Sequence, residues 1–252
     1  MVLGDSERKI FRESGVLSLK GAIPKREVEA VKRSLIAELD RLKLRVNGKL
    51  VSSKIERLPP FQQTGRLGQM IRSGPELDRL FSPELFACMG SLTNSKLKPS
   101  SPRPSAQLLT SFPHKEEWSL ARLNWHLDLK VPKRDELPGV QAFILIDDVQ
   151  PKGGATLALA GSHRLHYRRE NSSANAHAIL RQHPTFGDLF NGCSPQPEAL
   201  FKPQLVDGVE VYIVEMAGQA GDVFLMDMRT LHSPSINATK HIRMMATARL
   251  IL

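Results

Sequence analysis

Residues 147–163 read DDVQPKGGATLALAGSH, and the fold prediction starts from this stretch. Gly153-Gly154 and Gly161-Ser162 are typical turn sequences, because glycine adopts backbone conformations that other residues avoid. The residues at 155–159 between the two turns are mainly apolar and have the length of one short buried strand. A strand bounded this closely by turns is typical of a sheet made of many short antiparallel strands.

The same pattern continues on both sides of this stretch. Strands are predicted near residues 106–112, 122–129, 139–147, 155–159, 210–216, 222–226 and 243–251. Many short strands separated by glycine and proline turns, with helices before them, predict a mainly β sandwich or jelly roll with flanking helices packed outside.

The part of the chain before these strands carries helical signals. A short strand at 16–19 is followed by Pro24, which suits the first turn of a helix. Apolar residues then recur at spacings of three and four, which is the pattern of an amphipathic helix facing a core. They are Val28, Val31, Leu35, Leu39 and Leu42. A second helical stretch is predicted over about 75–92.

The domain organisation follows from the length and from this change of pattern. A chain of 252 residues fits one domain with a sizeable core. We expect a single domain over 1–252, with a helical amino-terminal part at 1–105 and a jelly-roll core at 106–252. The polar segment at about 166–208 interrupts the strand pattern, and long insertions of this kind usually form lids or binding loops.

The formal net charge of +9 is unevenly distributed. Residues 1–100 contain 19 Lys and Arg against 11 Asp and Glu, whereas the remainder contains 16 against 15. We interpret the basic run from Arg41 to Arg57 as a solvated helix face and loop, with a catchment for an anionic substrate or partner as the alternative. A nucleic-acid partner is therefore not expected, although the positive charge keeps nucleic-acid binding as an alternative.

Cysteine usage and hydropathy bound the expected location. Cys88 and Cys193 lie far apart and form no metal-binding or redox spacing, so a reducing cytoplasm is the expected compartment, with one disulfide left open. No apolar run of about eighteen residues is present, and the start of the chain lacks the pattern of a signal peptide, so neither a membrane span nor secretion is expected. We expect a monomer or a homodimer.

Two histidines and one aspartate have the spacing of a metal site. His126 and Asp128 are separated by one residue on a predicted strand, so both side chains would project from the same face. His232 would come from a distant strand. Two imidazoles and one carboxylate on one face of the metal are the ligands of non-haem iron(II) oxygenases, which keep the other positions open. Arg243 follows His232 by eleven residues and offers a fork of donors to a carboxylate.

Three segments then resemble one family. The first is 11–24, where Phe-x-x-x-Gly-Val-Leu-x-Leu-x-Gly leads to Ile-Pro and a helix. The second is 147–163, where Ala160 replaces the proline of the family's Pro-Gly-Ser-His. The third is 220–227, AGDVFLMD, which leads to His232 and Arg243. This ordered set resembles the phytanoyl-CoA dioxygenase family of iron(II)/2-oxoglutarate oxygenases.

The resemblance implies a double-stranded β-helix, a cupin-like jelly roll. It also implies that His126, Asp128 and His232 bind iron(II), that Arg243 binds the distal carboxylate of the co-substrate 2-oxoglutarate, and that O2 is the second co-substrate. The family often has a hydroxyl two positions after the distal histidine. That position is Pro234 here, flanked by Ser233 and Ser235, so which hydroxyl takes this role stays open, with Ser233 as the candidate.

One further co-substrate residue is a candidate on the strand before the ligand segment. Gln107 lies where members of the family often place a polar group near 2-oxoglutarate. We expect it to help bind the co-substrate.

The implied activity is hydroxylation of a C–H bond with release of succinate and CO2. The small-molecule substrate is expected to be anionic, such as an amino acid, an acyl derivative or a biosynthetic intermediate. Related halogenases lack the carboxylate ligand, so Asp128 favours hydroxylation or desaturation. Two alternatives stay open: a nucleic-acid demethylase, which Arg243-x5-Arg249 matches although Met245 replaces that motif's Asn, and a degenerate metal-binding protein.

Overall fold

The structure of the protein is a computed structural model. It describes residues 1–57, 75–100, 106–132, 135–167, 176–191, 193 and 197–252. Parts of the predicted insertion, namely 168–175, 192 and 194–196, lie outside the described residues.

Most of the described strands belong to two antiparallel sheets. The strands are β1 Val16–Leu19, β2 Arg45–Val46, β3 Lys49–Leu50, β4 Lys98–Pro99, β5 Gln107–Ser111, β6 Gly139–Leu145, β7 Leu157–Ala160, β8 Gln204–Val206, β9 Val209–Glu215, β10 Val223–Asp227, β11 His232–Ser233 and β12 Arg243–Ile251. In the larger sheet the order is β1-β10-β6-β12, and β12 also pairs with β4 and β5. In the smaller sheet the order is β11-β7-β9-β8, and β2 pairs with β3 alone.

The two sheets enclose an inner apolar core. Its residues come from both sheets and include Leu109, Phe143, Phe224, Met226 and Met245 of the larger sheet and Ala158 of the smaller one. Strand β12 divides its side chains between two faces, because alternate residues of a strand point in opposite directions. Met245 belongs to the inner core, whereas Met244, Ala246 and Ala248 pack outside. The two facing antiparallel sheets with helices around them confirm the predicted jelly roll.

Helices cover the outer faces of both sheets. They are α1 Asp5–Ser14, α2 Lys25–Arg41, α3 Ser52–Ile55, α4 Pro75–Arg79, α5 Pro83–Gly90, α6 Ser162–Leu165, α7 Ala176–Arg181, α8 Gly187–Asn191 and α9 Pro197–Leu200. The predicted apolar stripe of α2 is buried against the outer face of the larger sheet. Cys88 and Cys193 are both free thiols. No helix of the described residues is long and apolar enough to cross a membrane.

The strand predicted near 122–129 is wrong. This segment makes a single bridge, between His126 and His232, and has no strand of its own. A turn covers Ala121 and Arg122, and Arg122 has a φ of 58°. A left-handed residue of this kind turns the chain away from the extended path that a ladder needs.

The helical stretch predicted over about 75–92 is helical in the structure, but it is divided into two helices, α4 and α5. Pro83 starts the second one. Proline has no N–H and its ring collides with the preceding helical turn, so a helix is interrupted before it. Ser82 caps the new helix, with its hydroxyl accepting a hydrogen bond of 3.3 Å from the N–H of Leu85.

The described part of the insertion at 166–208 is packed rather than detached. Helices α7, α8 and α9 bury Ile179, Leu180, Leu189 and Leu200 against the outer face of the smaller sheet. Trp125 joins the same cluster, next to the predicted ligand His126. The insertion is therefore connected to the site through apolar packing.

Candidate metal centre

His126 and His232 are held together by their own backbones. The N–H of His126 donates to the carbonyl of His232 at 2.9 Å, and the N–H of His232 donates back to the carbonyl of His126 at 3.1 Å. The two imidazole centroids lie 4.4 Å apart. Strand β11 is fixed in turn by its pairing with β7, so the smaller sheet supports both histidines. This single bridge places the two histidines side by side, although His126 does not belong to a strand.

Asp128 completes a group of three possible ligands. Its Oδ1 lies 3.8 Å from Nε2 of His126, and its Oδ2 lies 3.6 Å from Nε2 of His232. The three ligand atoms all lie within 4.8 Å of one another. The structure therefore brings together the three residues that the sequence selected, with the two Nε2 atoms directed to the same place as the carboxylate.

Backbone carbonyls orient both imidazole rings. Nδ1 of His126 lies 2.8 Å from the carbonyl oxygen of Asn124, and Nδ1 of His232 lies 3.2 Å from that of Thr230. A carbonyl only accepts hydrogen bonds, so these contacts favour the tautomer in which Nδ1 carries the proton and Nε2 is the atom available to a metal. This carbonyl support fixes the tautomer that a metal requires and is the usual second layer of a histidine metal site.

The protonation states of the two less buried residues also suit metal binding. Burial lowers the pKa of His126, so its ring tends to stay neutral. Burial alone would raise the pKa of the Asp128 carboxyl, but the neighbouring His232 and Arg249 hold that pKa well below its ordinary value. Metal ligands must be deprotonated before they bind, and both groups satisfy this condition near neutral pH.

Arg243 is a buried cation without an anion among the described residues. Its exposed fraction is 3%, and it begins β12 opposite Ser111. Its Nη1 donates to the carbonyl of Leu109 at 3.3 Å, while its Nε has no hydrogen-bond partner among the described residues. Burial lowers the pKa of Arg243 to about 10. An isolated buried charge is costly, so this guanidinium is suited to an anionic ligand.

The structure does not bring Ser233 to the face that carries His232. The two residues are consecutive in β11, so their side chains point in opposite directions. His232 pairs with Ala158 of the inner core, whereas Ser233 pairs with Leu157, which packs on the outer face. The Ser233 hydroxyl donates to the carbonyl of Pro234 at 2.9 Å.

Gln107 lies at the opposite end of β5 from Arg243. Arg243 faces Ser111 and Thr247 faces Gln107. Gln107 and Ser111 are four positions apart in β5, or about 13 Å along the strand. Gln107 is on the same face as Arg243, but the structure does not place it beside that guanidinium. It lies nearer to the other arginine of the strand, Arg249.

Arg249 contacts the site, but it was not among the site residues predicted from the sequence. Its Nη2 donates to Oδ2 of Asp128 at 2.7 Å. It appeared in the sequence only as the second arginine of a motif from another branch of oxygenases. The period of a strand was the available signal, because residues 243, 245, 247 and 249 must share one face of β12.

His163 and Trp125 do not belong to the group of three candidate ligands. His163 is 3% exposed and its Nε2 lies 3.1 Å from the carbonyl oxygen of Arg12, away from the three ligands. Trp125 packs against Phe190, with ring centroids 6.3 Å apart.

Comparisons with known proteins identify relatives across nearly the whole chain. The model of the phytanoyl-CoA dioxygenase (PhyH) family matches residues 11–245. No curated protein matches.

Solved structures match the fold. The carbocyclase SnoK from nogalamycin biosynthesis has a TM-score of 0.60 at 20% identity, covering 99% of this chain and 84% of its own. The epimerase SnoN, in complex with Fe3+, α-ketoglutarate and nogalamycin RO, has a TM-score of 0.59 at 18% identity, covering 98% and 82%. HygX from Streptomyces hygroscopicus, with nickel, 2-oxoglutarate and hygromycin B bound, has a TM-score of 0.58 at 19% identity, covering 99% and 87%.

Proposed function

Because the chain belongs to the phytanoyl-CoA dioxygenase family, we propose that it is an iron(II)/2-oxoglutarate-dependent oxygenase acting on a small molecule. His126, Asp128 and His232 would hold the iron, and Arg243 would bind the distal carboxylate of 2-oxoglutarate. The observation that carries the proposal is the convergence of two Nε2 atoms and one carboxylate in an inward-facing group.

The donor set fits iron(II). Two neutral imidazoles and one carboxylate are the ligands of the facial triad found in non-haem iron oxygenases. A structural zinc site would instead need a fourth ligand from the protein. The described residues offer no fourth His, Cys, Asp or Glu within reach of this group, so positions would stay open for a co-substrate.

The surroundings of Arg243 fit 2-oxoglutarate. A dicarboxylate that chelates the metal at one end has a second carboxylate left over, and a guanidinium binds such a group with two parallel hydrogen bonds. Arg243 has an unpartnered buried Nε and forms no ion pair with a described carboxylate. The SnoN and HygX complexes each contain a metal together with this same co-substrate, which supports the assignment here.

When bound, iron and 2-oxoglutarate together supply the oxidation of a C–H bond by O2, with release of succinate and CO2. The protein's own residues bind and orient the reactants. The carbonyls of Asn124 and Thr230 keep Nδ1 of each histidine protonated, and Asp128 stays ionised. Arg243 is almost fully buried, which strengthens the attraction between its guanidinium and a bound carboxylate.

The outcome of the oxidation and the substrate are the finer parts of the proposal. We propose hydroxylation of a small, anionic metabolite. The retained carboxylate Asp128 supports hydroxylation over halogenation. The carbocyclase and epimerase among the similar structures belong to the same fold, so ring closure and epimerisation are the competing outcomes.

Succinate formation tests this function without knowledge of the substrate. Enzymes of this class turn over 2-oxoglutarate slowly on their own, so the protein with iron(II), 2-oxoglutarate and O2 should release succinate. Asp128→Ala should reduce the release to background, because the iron loses its carboxylate ligand. Asp5→Ala, an exposed aspartate of α1, is the matched control and should match the unmodified protein. Equal release by Asp128→Ala would contradict the assignment.

A further inference from the structure

Arg249 holds the carboxylate of the candidate ligand Asp128. Its Nη2 lies 2.7 Å from Oδ2, and the two side chains are 26% and 22% exposed, so the pair is mostly shielded from water. The Arg249 Nε is buried and has no hydrogen-bond partner among the described residues. Asp128 is therefore the residue towards which this guanidinium is directed.

Among the described residues, little else fixes the orientation of the Asp128 side chain. It lies beyond the single bridge at His126, in a segment without strand pairing. The two imidazole nitrogens are 3.6 and 3.8 Å from its oxygens, which is too long for a good hydrogen bond. The contact with Arg249 is the shortest of the three, so it has the largest influence on the orientation of the Asp128 carboxylate.

The strand beneath Arg249 is a firm support. Arg249 faces Gln141 across the pair of β12 and β6. The Gln141 side chain donates to Oγ1 of Thr247 at 3.0 Å, and Thr247 donates to the carbonyl of Ala142 at 2.8 Å. Both polar residues are almost fully buried. Arg249 thus reaches Asp128 from a rigid part of the larger sheet, whereas Asp128 itself lies in an irregular segment.

We infer that Arg249 is a positioning residue that holds Oδ2 of Asp128 and leaves Oδ1 as the oxygen offered to the metal. The inference rests on the proposed iron site. A carboxylate that gives one oxygen occupies one position on the metal, so more positions stay open for 2-oxoglutarate and O2. Partners of this kind, which contact a ligand and not the metal, commonly change metal affinity or activity 10–100-fold when removed.

The role predicts which property changes when Arg249 is replaced. A residue that positions Asp128 affects metal binding even in the absence of any organic substrate. A residue that only binds the organic substrate leaves metal binding and the unassisted turnover of 2-oxoglutarate unchanged. The two roles can therefore be separated although the substrate is unidentified.

The test compares Arg249→Met and Arg249→Lys with the unmodified protein by anaerobic titration with Co(II), followed in the visible absorption spectrum. Arg249→Met should bind Co(II) about 10–100-fold more weakly. Arg249→Lys, which keeps the charge but loses the fork, should lie between the two. Unassisted succinate formation at saturating 2-oxoglutarate should fall in the same order, with the KM for 2-oxoglutarate changed less than about threefold, since Arg243 is untouched.

The control is Arg26→Met, which removes one positive charge from the exposed side of α2, on the other side of the larger sheet. It should behave as the unmodified protein does. Far-ultraviolet circular dichroism checks that each variant is folded. If Arg249→Met does not fold, Arg249→Lys alone tests the inference.

Two results would count against the inference in different ways. Equal or tighter Co(II) binding by both Arg249 variants, with unmodified succinate formation, would overturn it while the proposed function stands. Failure of the unmodified protein to bind Co(II) or iron(II) at all would overturn the proposed function, and this inference with it.

Discussion

At the scale of single residues, two buried arginines differ in their partners. Arg229 is 7% exposed and donates to the carboxylates of Asp227 and Asp135, and these partners raise its pKa although burial opposes them. Arg243 is 3% exposed and has no such anion among the described residues. Removing one partner of a buried ion pair leaves the other charge uncompensated and is strongly destabilising, whereas a charge that is already unpaired is itself a cost that folding must overcome. The difference indicates that Arg229 is structural, and it fits the proposed role of Arg243 in binding 2-oxoglutarate.

This contrast predicts opposite effects of the same substitution. Arg243→Met should leave the free energy of unfolding of the ligand-free protein unchanged or raise it by about 1–4 kcal/mol, because it removes an uncompensated charge at similar volume. Arg229→Met should lower that free energy by about 3–5 kcal/mol, because Asp227 would be left buried without its partner. Urea denaturation measures both. A loss from Arg243→Met as large as that from Arg229→Met would mean that Arg243 is a structural residue.

At the scale of elements, the turn after β7 requires a glycine at 161. Gly161 has a φ of 81°, its N–H donates to the carbonyl of Ser14 at 2.7 Å, and an added Cβ would collide with the backbone carbonyl of Glu210. Gly208 has a similar φ of 75°, but no atom lies within 4 Å of where its Cβ would be. The two glycines therefore share the backbone requirement and differ only in the space around them.

The pair separates backbone strain from steric collision. Gly208→Ala should lower the free energy of unfolding by about 1–2 kcal/mol, the cost of a left-handed conformation in a residue with a Cβ. Gly161→Ala should lower it by a further 1–3 kcal/mol or so, because the carbonyl of Glu210 must move. Thermal or urea unfolding gives both values. Equal losses would show that the contact between this turn and β9 is looser than described.

The elements also show what the sequence could predict. Strand β12 was predicted at 243–251 and has those bounds, because it is long, apolar and buried on both faces. The segment at 122–129 looked like a strand, but its one bridge depends on a partner more than a hundred residues away. Local patterns do not contain that partner. The three candidate ligands nevertheless lie together in the structure. They were selected from residue type, spacing and the resemblance to the family.

The positions of the residues around the site also depend on pairing between distant segments, which local sequence patterns do not contain. The direction of Ser233 depends on the register of β11 with β7, and the distance of Gln107 from Arg243 depends on the register of β5 with β12. A shift of one residue in either pairing would turn each side chain to the other face. The contact of Arg249 with Asp128 joins a strand to an irregular segment, and only the folded chain brings the two together.

At the scale of the whole molecule, buried histidines connect stability with pH. Burial lowers the pKa of His163 and His166 below the ordinary value of 6.5. Both rings lie near backbone carbonyls, those of Arg12 and Arg229, in the packing between α1, α6 and the turn before β11. The folded protein therefore resists a proton that the unfolded chain accepts.

The sign of the pH effect follows directly. Above pH 6.5 both states carry neutral histidines and the stability is fully present. As the pH falls below 6.5 the unfolded chain takes up protons first, so the free energy of unfolding should decrease. Replacing His163 by Gln should make the decrease shallower by up to about 1.4 kcal/mol per pH unit. Urea denaturation between pH 7.5 and 5.5 measures the slope, and an unaltered slope in His163→Gln would contradict the assignment.

The organisation of the molecule combines a rigid sheet with a separately supported ligand pair. The larger sheet supplies Arg243 and Arg249 from one face of β12, whereas the smaller sheet supplies His232 and, through one bridge, His126. The site thus lies where the two sheets face each other. We expect the three candidate iron ligands and Arg243 to bind 2-oxoglutarate together.

The most direct test of that claim is the anaerobic addition of iron(II) and 2-oxoglutarate, followed by visible absorption. A 2-oxoglutarate chelate of iron(II) gives a weak charge-transfer band, and the account predicts this band for the unmodified protein. Asp128→Ala should abolish it, and Arg243→Met should require at least about tenfold more 2-oxoglutarate to reach it, since the variant lacks a charged hydrogen-bond donor pair. An unmodified protein that binds neither iron(II) nor 2-oxoglutarate and shows no band would contradict the account.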